Sequence, residues 1–176
     1  MKGIFVAATK QHVGKTTVSL SIFNELLKHF KNVGFMKPVG QQHVVADGVR
    51  VDKDVKLFRK YFNLSDSYAS MSPIIVDKNY TRQFIDNKIV SSSNQLNTKD
   101  YNSLDANILT HQIDLVKTSF ADIYKKNDFV VVEGTGHTSV GSVIGLSNAK
   151  IASLLGLDIV LVANGGIGNT IDQLEL

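Results

Sequence analysis

The stretch Thr9-Lys-Gln-His-Val-Gly-Lys-Thr16 decides the fold predicted for this chain. A short apolar run at residues 2–8 precedes it and predicts a buried strand, and an amphipathic helix is predicted at 16–29. A Gly-Lys-Thr turn between a strand and a helix is typical of a phosphate-binding loop (P-loop), because backbone N–H groups and the helix N-terminus then surround an anion. The motif normally begins with glycine, and Thr9 stands there instead.

Two residues of this loop carry the predicted chemistry. Lys15 would reach the β and γ phosphates of a nucleotide, and the Thr16 hydroxyl would bind Mg²⁺. The other residues predicted to surround the phosphates are Gln11, His12, Val13, Gly14 and Thr17. The alternative is a basic turn with a threonine that caps the helix. The succession of strand, Gly-Lys-Thr-Thr and amphipathic helix favours the nucleotide-binding interpretation.

Glu133 and Lys37 are polar residues near the ends of two predicted buried strands, at 128–133 and 33–39. In open α/β sheets ligands bind outside the carboxyl ends of the strands, so both side chains are candidates for the same crevice. A buried carboxylate is costly without a partner, which favours Glu133 as a Mg²⁺ ligand. The alternatives are a glutamate that reaches solvent and a lysine on a solvated face.

Loops after the predicted strands add further candidates. Asp47, Asp52 and Asp54 offer a second carboxylate for Mg²⁺, although Asp54 is also a candidate helix cap and the other two could be solvated. The glycine-rich segments 134–137 and 165–168 each follow a strand and either line the crevice or form ordinary turns. His12 and His137 are not at metal-ligand spacing, so zinc is not predicted.

Strand, loop, helix and strand alternate along the chain. Apolar runs predict the main strands at 2–8, 33–38, 129–133 and 158–163. Such alternation predicts a three-layer α/β fold with a parallel sheet flanked by helices.

The rest of the chain gives weaker signals. Residues 40–52 are expected to form a loop, and 55–61 a short helix capped by Asp54. The most polar segment, 90–105, is expected to be an exposed loop.

The composition excludes several classes of protein. The 176 residues fit one domain, and they contain no cysteine, which excludes disulfides, zinc–thiolate sites and a cysteine nucleophile. A net charge of +3 is too small to indicate a nucleic-acid-binding surface. Apolar runs are too short for a membrane span or a secretory signal. We therefore expect a single soluble cytoplasmic domain over 1–176, without nucleic-acid or membrane partners.

Three segments resemble the dethiobiotin synthetase family of deviant P-loop ATPases, which is related to the nucleotide domain of cobyrinic acid a,c-diamide synthase and to the partition ATPases. They are residues 5–17, Val33-Gly-Phe-Met-Lys-Pro-Val39 and Val132-Glu-Gly-Thr-Gly136, in the family's order. Residues 71–76 and 80–86 look closer to a branch that is fused ahead of phosphotransacetylase in some proteins.

The resemblance implies a P-loop NTPase fold, usually a homodimer, that uses ATP and Mg²⁺ in biotin biosynthesis. In that family a carbamate, made from a vicinal diamine and carbon dioxide, attacks the γ-phosphorus, and the phosphorylated intermediate closes a ring. By position, Lys15 and Thr16 keep their phosphate and Mg²⁺ roles. Lys37 corresponds to the catalytic lysine that contacts phosphate and carbamate, and Asp54 and Glu133 correspond to the Mg²⁺ carboxylates.

The chain departs from that family in two places. The family has a Gly-Thr-Asp-Thr-Glu-like loop where this chain has residues 8–12, and a small hydroxyl residue where it has Gly40-Gln-Gln42. Both positions shape the diamine site, so the substrate is left open. Lys10 matches the extra lysine of partition-type loops, which reaches the phosphates of a dimer partner; the alternative is a solvated loop lysine.

Two functions follow from this interpretation. The first is an ATP-dependent ligase that acts on a small substrate through a phosphorylated intermediate; the alternative is a nucleotide-binding regulatory module of a larger protein. A third, a P-loop domain without turnover, is disfavoured by Lys15, Thr16 and Glu133 together. The family also has strands and a base-recognising segment beyond residue 176, so this chain is expected to lack the C-terminal strands of the full family fold.

Overall fold

The computed structural model of the chain describes residues 3–76, 80, 82, 101–137 and 139–174. Its strands are β1 (Gly3–Ala8), β2 (Val33–Met36), β3 (Val39–Gly40), β4 (His43–Ala46), β5 (Val49–Asp52), β6 (Ile74–Ile75), β7 (Phe129–Glu133) and β8 (Asp158–Val162). Its helices are α1 (Lys15–Leu26), α2 (Lys53–Tyr61), α3 (Tyr68–Met71), α4 (Tyr101–Tyr124), α5 (Asn148–Leu155) and α6 (Ile167–Leu174).

The central sheet has the order β2-β7-β1-β8, and every pairing in it is parallel. In the register, Val6 of β1 lies opposite Glu133 of β7 and Ala8 lies opposite Val162 of β8. The carboxyl ends of these strands therefore lie at one edge of the sheet. The P-loop begins at this edge, after β1, and Glu133 ends β7 there. The predicted parallel α/β architecture is confirmed.

Helices cover both faces of this sheet, as neighbouring residues of β2 demonstrate. The Phe35 ring stacks on Phe58 of α2, with centroids 3.6 Å apart, and meets Phe23 of α1 edge-on. On the opposite face, a Cβ added at Gly34 would lie 2.4 Å from Cγ2 of Ile123 in α4. Because successive residues of a strand face opposite sides, α1 and α2 form one outer layer and α4 lies in the other.

Most of the predicted loop at 40–52 is a β-hairpin, formed by residues 43–52. Strands β4 and β5 pair antiparallel, with His43 opposite Asp52 and Ala46 opposite Val49. The turn between them places Asp47 and Gly48 at positive φ, 49° and 77°. Asp-Gly is a preferred pair for such a turn, since both positions tolerate the left-handed conformation.

The cap of α2 is also different from the prediction. The helix begins at Lys53, and the side chain of Asp52 accepts a hydrogen bond of 2.9 Å from the Asp54 backbone N–H. Asp52 is therefore the N-cap, and Asp54 lies in the first helical turn. The prediction of Asp54 as the cap was wrong by two residues, and the Asp54 side chain is available for other contacts.

The long helix α4 supplies much of the second layer. Its residues Val116, Phe120 and Ile123 are buried, as their spacing predicts, with Leu109 and Ile113 packed against the same core. It begins at Tyr101, inside the segment predicted as a loop; residues 90–100 of that segment, and most of the 80–86 resemblance, lie outside the described residues. Across the described ranges, no helix is long and apolar enough to cross a membrane.

Candidate nucleotide-binding site

The P-loop connects the end of β1 to the start of α1. Thr9 continues the sheet, because its backbone N–H donates to the carbonyl of Val162 at 3.0 Å. His12 and Gly14 then adopt positive φ, 62° and 89°, and α1 begins at Lys15 without a side-chain cap. Glycine reaches this conformation without the Cβ penalty that His12 bears. The uncapped N-terminus leaves backbone N–H groups available to an anion.

A cavity of about 300 Å³ opens beside this helix start. Its walls come from the P-loop, the segment after β2, the N-terminus of α2 and the segment after β7. It is lined by Gln11, His12, Gly14, Lys15, Thr16, Thr17, Lys37, Gln41, Gln42, Asp52, Lys53, Asp54, Glu133, Thr135 and Gly136.

Lys15 and Thr16 bridge the P-loop to the end of β7. The Lys15 ammonium donates to the carbonyl of Gly136 at 2.8 Å, and the Thr16 hydroxyl donates to Oε1 of Glu133 at 3.1 Å. Burial lowers the pKa of Lys15 below its usual value, and the nearby Glu133 carboxylate opposes that shift. A further anion near Lys15 would therefore stabilise the charged form of its ammonium group.

Lys37 is buried at the centre of three carboxylates. Its ammonium forms a hydrogen-bonded ion pair with Asp54, lies 3.2 Å from Oδ1 of Asp52 and lies 3.5 Å from Oε1 of Glu133. Burial by itself lowers the pKa of a lysine, but Glu133, Asp52 and Asp54 together outweigh it, so the pKa of Lys37 is raised. Lys37 is therefore a fixed positive charge in the cavity.

Glu133 is completely buried at the end of β7. Burial raises the pKa of its carboxyl group, and the ammonium of Lys37 opposes this shift. Among the described residues, neither Oε2 of Glu133 nor the hydroxyl of Ser19 makes a hydrogen bond of normal geometry. The nearby Ser19 hydroxyl nevertheless lowers the pKa of Glu133, although less than burial raises it. An unsatisfied buried carboxylate oxygen is costly, and a cation is a partner that would remove that cost.

The residues that could hold a Mg²⁺ ion are Thr16, Glu133 and Asp54. The Thr16 hydroxyl and the Glu133 carboxylate are in contact, and Asp54 reaches the same cavity. Within the described ranges, no three His, Asp or Glu side chains form a metal-binding group, and Asp52 and Asp54 contact the ammonium of Lys37 instead. Mg²⁺ keeps several waters and takes few protein ligands, so an incomplete set of oxygen donors is compatible with it.

The structure gathers most, but not all, of the predicted site residues. Lys15, Thr16, Lys37, Asp54 and Glu133 line one cavity, together with four other P-loop residues. Those four are Gln11, His12, Gly14 and Thr17. The roles proposed for them stay predictions.

Four groups of candidate residues lie outside this cavity. Neither Lys10 nor Val13 is among the lining residues, and the 165–168 segment does not reach it. His137 is also outside, although Thr135 and Gly136 of the same segment line the wall. Asp47 is at the hairpin turn, where it pairs with Arg59 at 2.8 Å.

The sequence analysis gave one contributor to the site a different role and missed another. Asp52 is predicted as a Mg²⁺ carboxylate or a solvated loop residue, but in the structure it is buried, caps α2 and contacts Lys37. Asn148 was not considered; its amide is buried and holds the backbone of the segment after Glu133. The Asp-Gly pair and the capping position before Lys53 could have indicated the first, whereas Asn148 has no local signal.

Comparison with known proteins gives a family for this arrangement. A family model described as AAA domain matches residues 2–176. The ATP-dependent dethiobiotin synthetase BioD of Clostridium perfringens (strain 13 / Type A) is 26% identical over 173 residues, which are 95% of this chain and 67% of that protein. BioD of Methanocaldococcus jannaschii is 27% identical over 165 residues, 94% of this chain and 67% of that protein.

A third relative has a different name. The phosphate acetyltransferase of Nitratidesulfovibrio vulgaris (Hildenborough) is 28% identical over 163 residues, which are 92% of this chain but only 20% of that protein. The chain spans about two thirds of the length of the dethiobiotin synthetases it matches. The resemblance to dethiobiotin synthetase, and to a domain fused with phosphotransacetylase, is confirmed at this level of identity.

Proposed function

The chain belongs to the AAA domain family that its residues 2–176 match, and on that premise we propose that it is a Mg-ATP-dependent enzyme with ligase-type chemistry. The family and the BioD relatives indicate an ATP-using enzyme of the ligase or ATPase type, with its substrate open. The finer proposal is that it activates a small molecule through a phosphorylated intermediate in the 300 Å³ cavity.

One observation carries this proposal: a P-loop lysine, a second buried lysine and a buried carboxylate share a single cavity. Lys15 and the helix N-terminus would bind the β and γ phosphates of ATP. Lys37 would stabilise the charge that develops when the γ-phosphoryl group is transferred, since its ammonium is already held in place by carboxylates. Preorganised charge of this kind needs no rearrangement during the reaction.

Thr16, Glu133 and Asp54 would hold Mg²⁺, mostly through water. When bound, the ion would neutralise negative charge on the phosphate oxygens. Thr16 would orient towards it through the hydrogen bond that its hydroxyl already makes to Glu133. Asp54 and Asp52 would keep Lys37 charged and oriented in the same place.

The substrate-facing part of the cavity differs from that of the dethiobiotin synthetase pattern. Gln41 and Gln42 line it where that family has a small hydroxyl residue, and both side chains are exposed. Amide side chains donate and accept hydrogen bonds, so a polar small molecule is the proposed substrate class. We also propose a cytoplasmic homodimer without a nucleic-acid partner.

The test is release of ADP by the purified chain with Mg-ATP, in the presence and absence of candidate vicinal diamines plus bicarbonate. A rise in ADP release that depends on one of these substrates, and that is lost in Lys15→Ala, is the expected result. Lys28→Ala is the matched control, because Lys28 is exposed just beyond the C-terminal end of α1, where it pairs with Glu25. ADP release that Lys15→Ala leaves unchanged would overturn the proposal.

A second candidate function is a nucleotide-binding regulatory module of a larger protein. The phosphate acetyltransferase relative favours it, because the matching segment is a fifth of that protein. A module would bind Mg-ATP with the same residues but show no stimulation of ADP release by any small substrate. Tight ATP binding together with flat, substrate-independent turnover would therefore support the regulatory module over the ligase.

A further inference from the structure

Asn148 is a buried amide that makes three hydrogen bonds to one short segment of backbone. It is the first residue of α5, and the residue is 3% exposed. Its Nδ2 donates to the carbonyls of Thr135 and His137, at 2.8 and 2.6 Å, and its Oδ1 accepts from the Thr135 N–H at 3.0 Å. Both amide donors and the acceptor are used, so only one orientation of the side chain fits.

The backbone that Asn148 holds is a wall of the nucleotide cavity. Thr135 and Gly136 line the cavity, and the Gly136 carbonyl accepts the hydrogen bond from Lys15. The segment approaches Asn148 closely, since a Cβ added at Gly134 would lie 2.7 Å from Oδ1 of Asn148. Glycine at 134 is therefore what allows the amide to reach the backbone.

Among the described side chains that hold this wall, Lys15 and Asn148 differ in one respect. The Thr135 hydroxyl also ties the wall to β3, because it donates to the carbonyl of Val39. A bound phosphate competes with the Gly136 carbonyl for the ammonium of Lys15, because both are acceptors for the same donor. Asn148 is buried and is not among the residues that line the cavity, so a bound phosphate would not compete for the hydrogen bonds of its amide. When Lys15 turns to a phosphate, the hydrogen bonds of Asn148 remain.

We propose that Asn148 is a positioning residue that keeps the 134–137 wall in place while Lys15 is engaged by nucleotide. This inference rests on the proposed function for its kinetic consequence, but its structural part does not. A wall displaced by about 1 Å costs about 100-fold in rate when it positions reacting groups. The effect should fall on turnover, because Asn148 itself does not touch the cavity.

The test compares Asn148→Ala and Asn148→Asp with Ser147→Ala. Aspartate retains an acceptor for the Thr135 N–H but has no donor for the two carbonyls, so it separates these roles. Ser147→Ala removes the N-cap of α5, whose side chain accepts from the Lys150 N–H, without touching the wall. It therefore controls for loss of helix stability.

Two readouts are needed: kcat and KM for ATP from ADP release, and hydrogen exchange of the Thr135 amide with and without Mg-ATP. Asn148→Ala should lower kcat about 10- to 100-fold with KM changed less than about threefold, and should speed Thr135 exchange at least about tenfold. Asn148→Asp should lower kcat similarly but keep partial protection of the Thr135 amide. Ser147→Ala should leave kcat and Thr135 exchange within about twofold of the wild type.

The outcomes distinguish this proposal from the function it rests on. Faster Thr135 exchange with unchanged kcat, or lower kcat with unchanged exchange, overturns the positioning role. If the alanine variant does not fold, the aspartate variant decides between the same outcomes. A wild-type protein that neither binds nor hydrolyses ATP refutes the proposed function, and the exchange of the Thr135 amide still decides whether Asn148 holds the wall.

Discussion

At the scale of single residues, Lys37 has the most concentrated charge environment in the described structure. Its ammonium contacts Asp54, Asp52 and Glu133, and its side chain is almost fully buried. A buried ion-pair cluster adds little net stability, but removing one member leaves the others uncompensated. Substitution of Lys37 should therefore lower both the stability of the protein and its turnover.

Lys37→Met tests the chemical role while it keeps an apolar stem of similar length. Turnover should fall by about two to three orders of magnitude, with kcat and kcat/KM lowered together and ATP affinity little changed. The free energy of unfolding should also fall by about 3 kcal/mol, because three carboxylates lose their partner. Steady-state kinetics and urea denaturation measure the two effects.

Lys56→Met on the exposed face of α2 is the control for Lys37→Met. Lys56→Met should change neither the turnover nor the free energy of unfolding appreciably. Normal turnover in Lys37→Met, or a loss of ATP affinity and nothing else, would remove the catalytic role and favour the regulatory module.

Glu133→Gln tests the proposed Mg²⁺ ligand. Glutamine has nearly the same shape, but it cannot carry the negative charge that a cation requires, so Mg²⁺-dependent turnover should fall at least about tenfold. Nucleotide affinity should fall less. Titration of Mg²⁺ in the ADP-release assay is the measurement, with Asp47→Asn as a carboxylate control at the exposed hairpin turn. Equal losses of affinity and turnover would make Glu133 a structural residue.

At the scale of elements, the sequence predicted those features whose signal is local. The strand before the P-loop and the spacing of the buried residues in α4 both follow from short patterns. The hairpin at 43–52 was missed although its Asp47-Gly48 turn was readable, because its strands are only four residues long and the first of them lacks strict apolar alternation. Two aspartates two positions apart also made the start of α2 ambiguous.

The site was predictable where a motif names the residue and not where contact is non-local. Lys15 and Thr16 belong to a known loop pattern, whereas the contact of Lys37 with Asp52 joins the segment after β2 to a hairpin that the sequence analysis did not predict. Asn148 contacts a segment 11 to 13 residues earlier, through packing that no local pattern specifies. Such residues emerge only from the folded arrangement.

Packing between β2 and α4 gives a prediction at this scale. Gly34→Ala would place a methyl group 2.4 Å from Ile123 and 2.8 Å from Asn127, so one of the two elements must shift. The free energy of unfolding should fall by about 1–3 kcal/mol. Urea denaturation measures it. Gly168→Ala in α6, where an added Cβ meets nothing within 4 Å, should be neutral or stabilising by up to about 1 kcal/mol. Equal stability of the two variants would contradict this packing.

At the scale of the whole molecule, the sheet order determines which strands should be best protected from amide hydrogen exchange. Strand β7 lies between β2 and β1, and β1 lies between β7 and β8, so both are hydrogen-bonded on two sides. The β4–β5 hairpin forms a separate two-stranded sheet. Amide exchange should therefore be slower in β1 and β7 than in the hairpin by at least about two orders of magnitude. Residue-resolved hydrogen exchange is the measurement, and uniform exchange rates would contradict this sheet order.

The same sheet order explains why one cavity collects residues from distant parts of the chain. The carboxyl ends of β1, β2 and β7 lie side by side, so the P-loop, Lys37 and Glu133 meet although 117 positions separate Thr16 from Glu133. Parallel α/β sheets bind ligands at this edge. The fold thus places a phosphate-binding loop beside a buried lysine and a buried carboxylate, which is the arrangement that a phosphoryl-transfer enzyme needs.

Calorimetric titration of Mg-ATP into the wild type, Lys15→Ala and Lys28→Ala tests that claim most directly. The wild type and Lys28→Ala should bind ATP at one site with equal affinity, because Lys28 is exposed and remote from the cavity. Lys15→Ala should stay folded and lose detectable ATP binding. A charge-assisted contact to phosphate is worth about 1.5–3 kcal/mol, and without Lys15 the negative charge of the terminal phosphates is no longer compensated. Unchanged affinity in a folded Lys15→Ala protein would contradict the assignment of the P-loop and of the nucleotide-dependent function built on it.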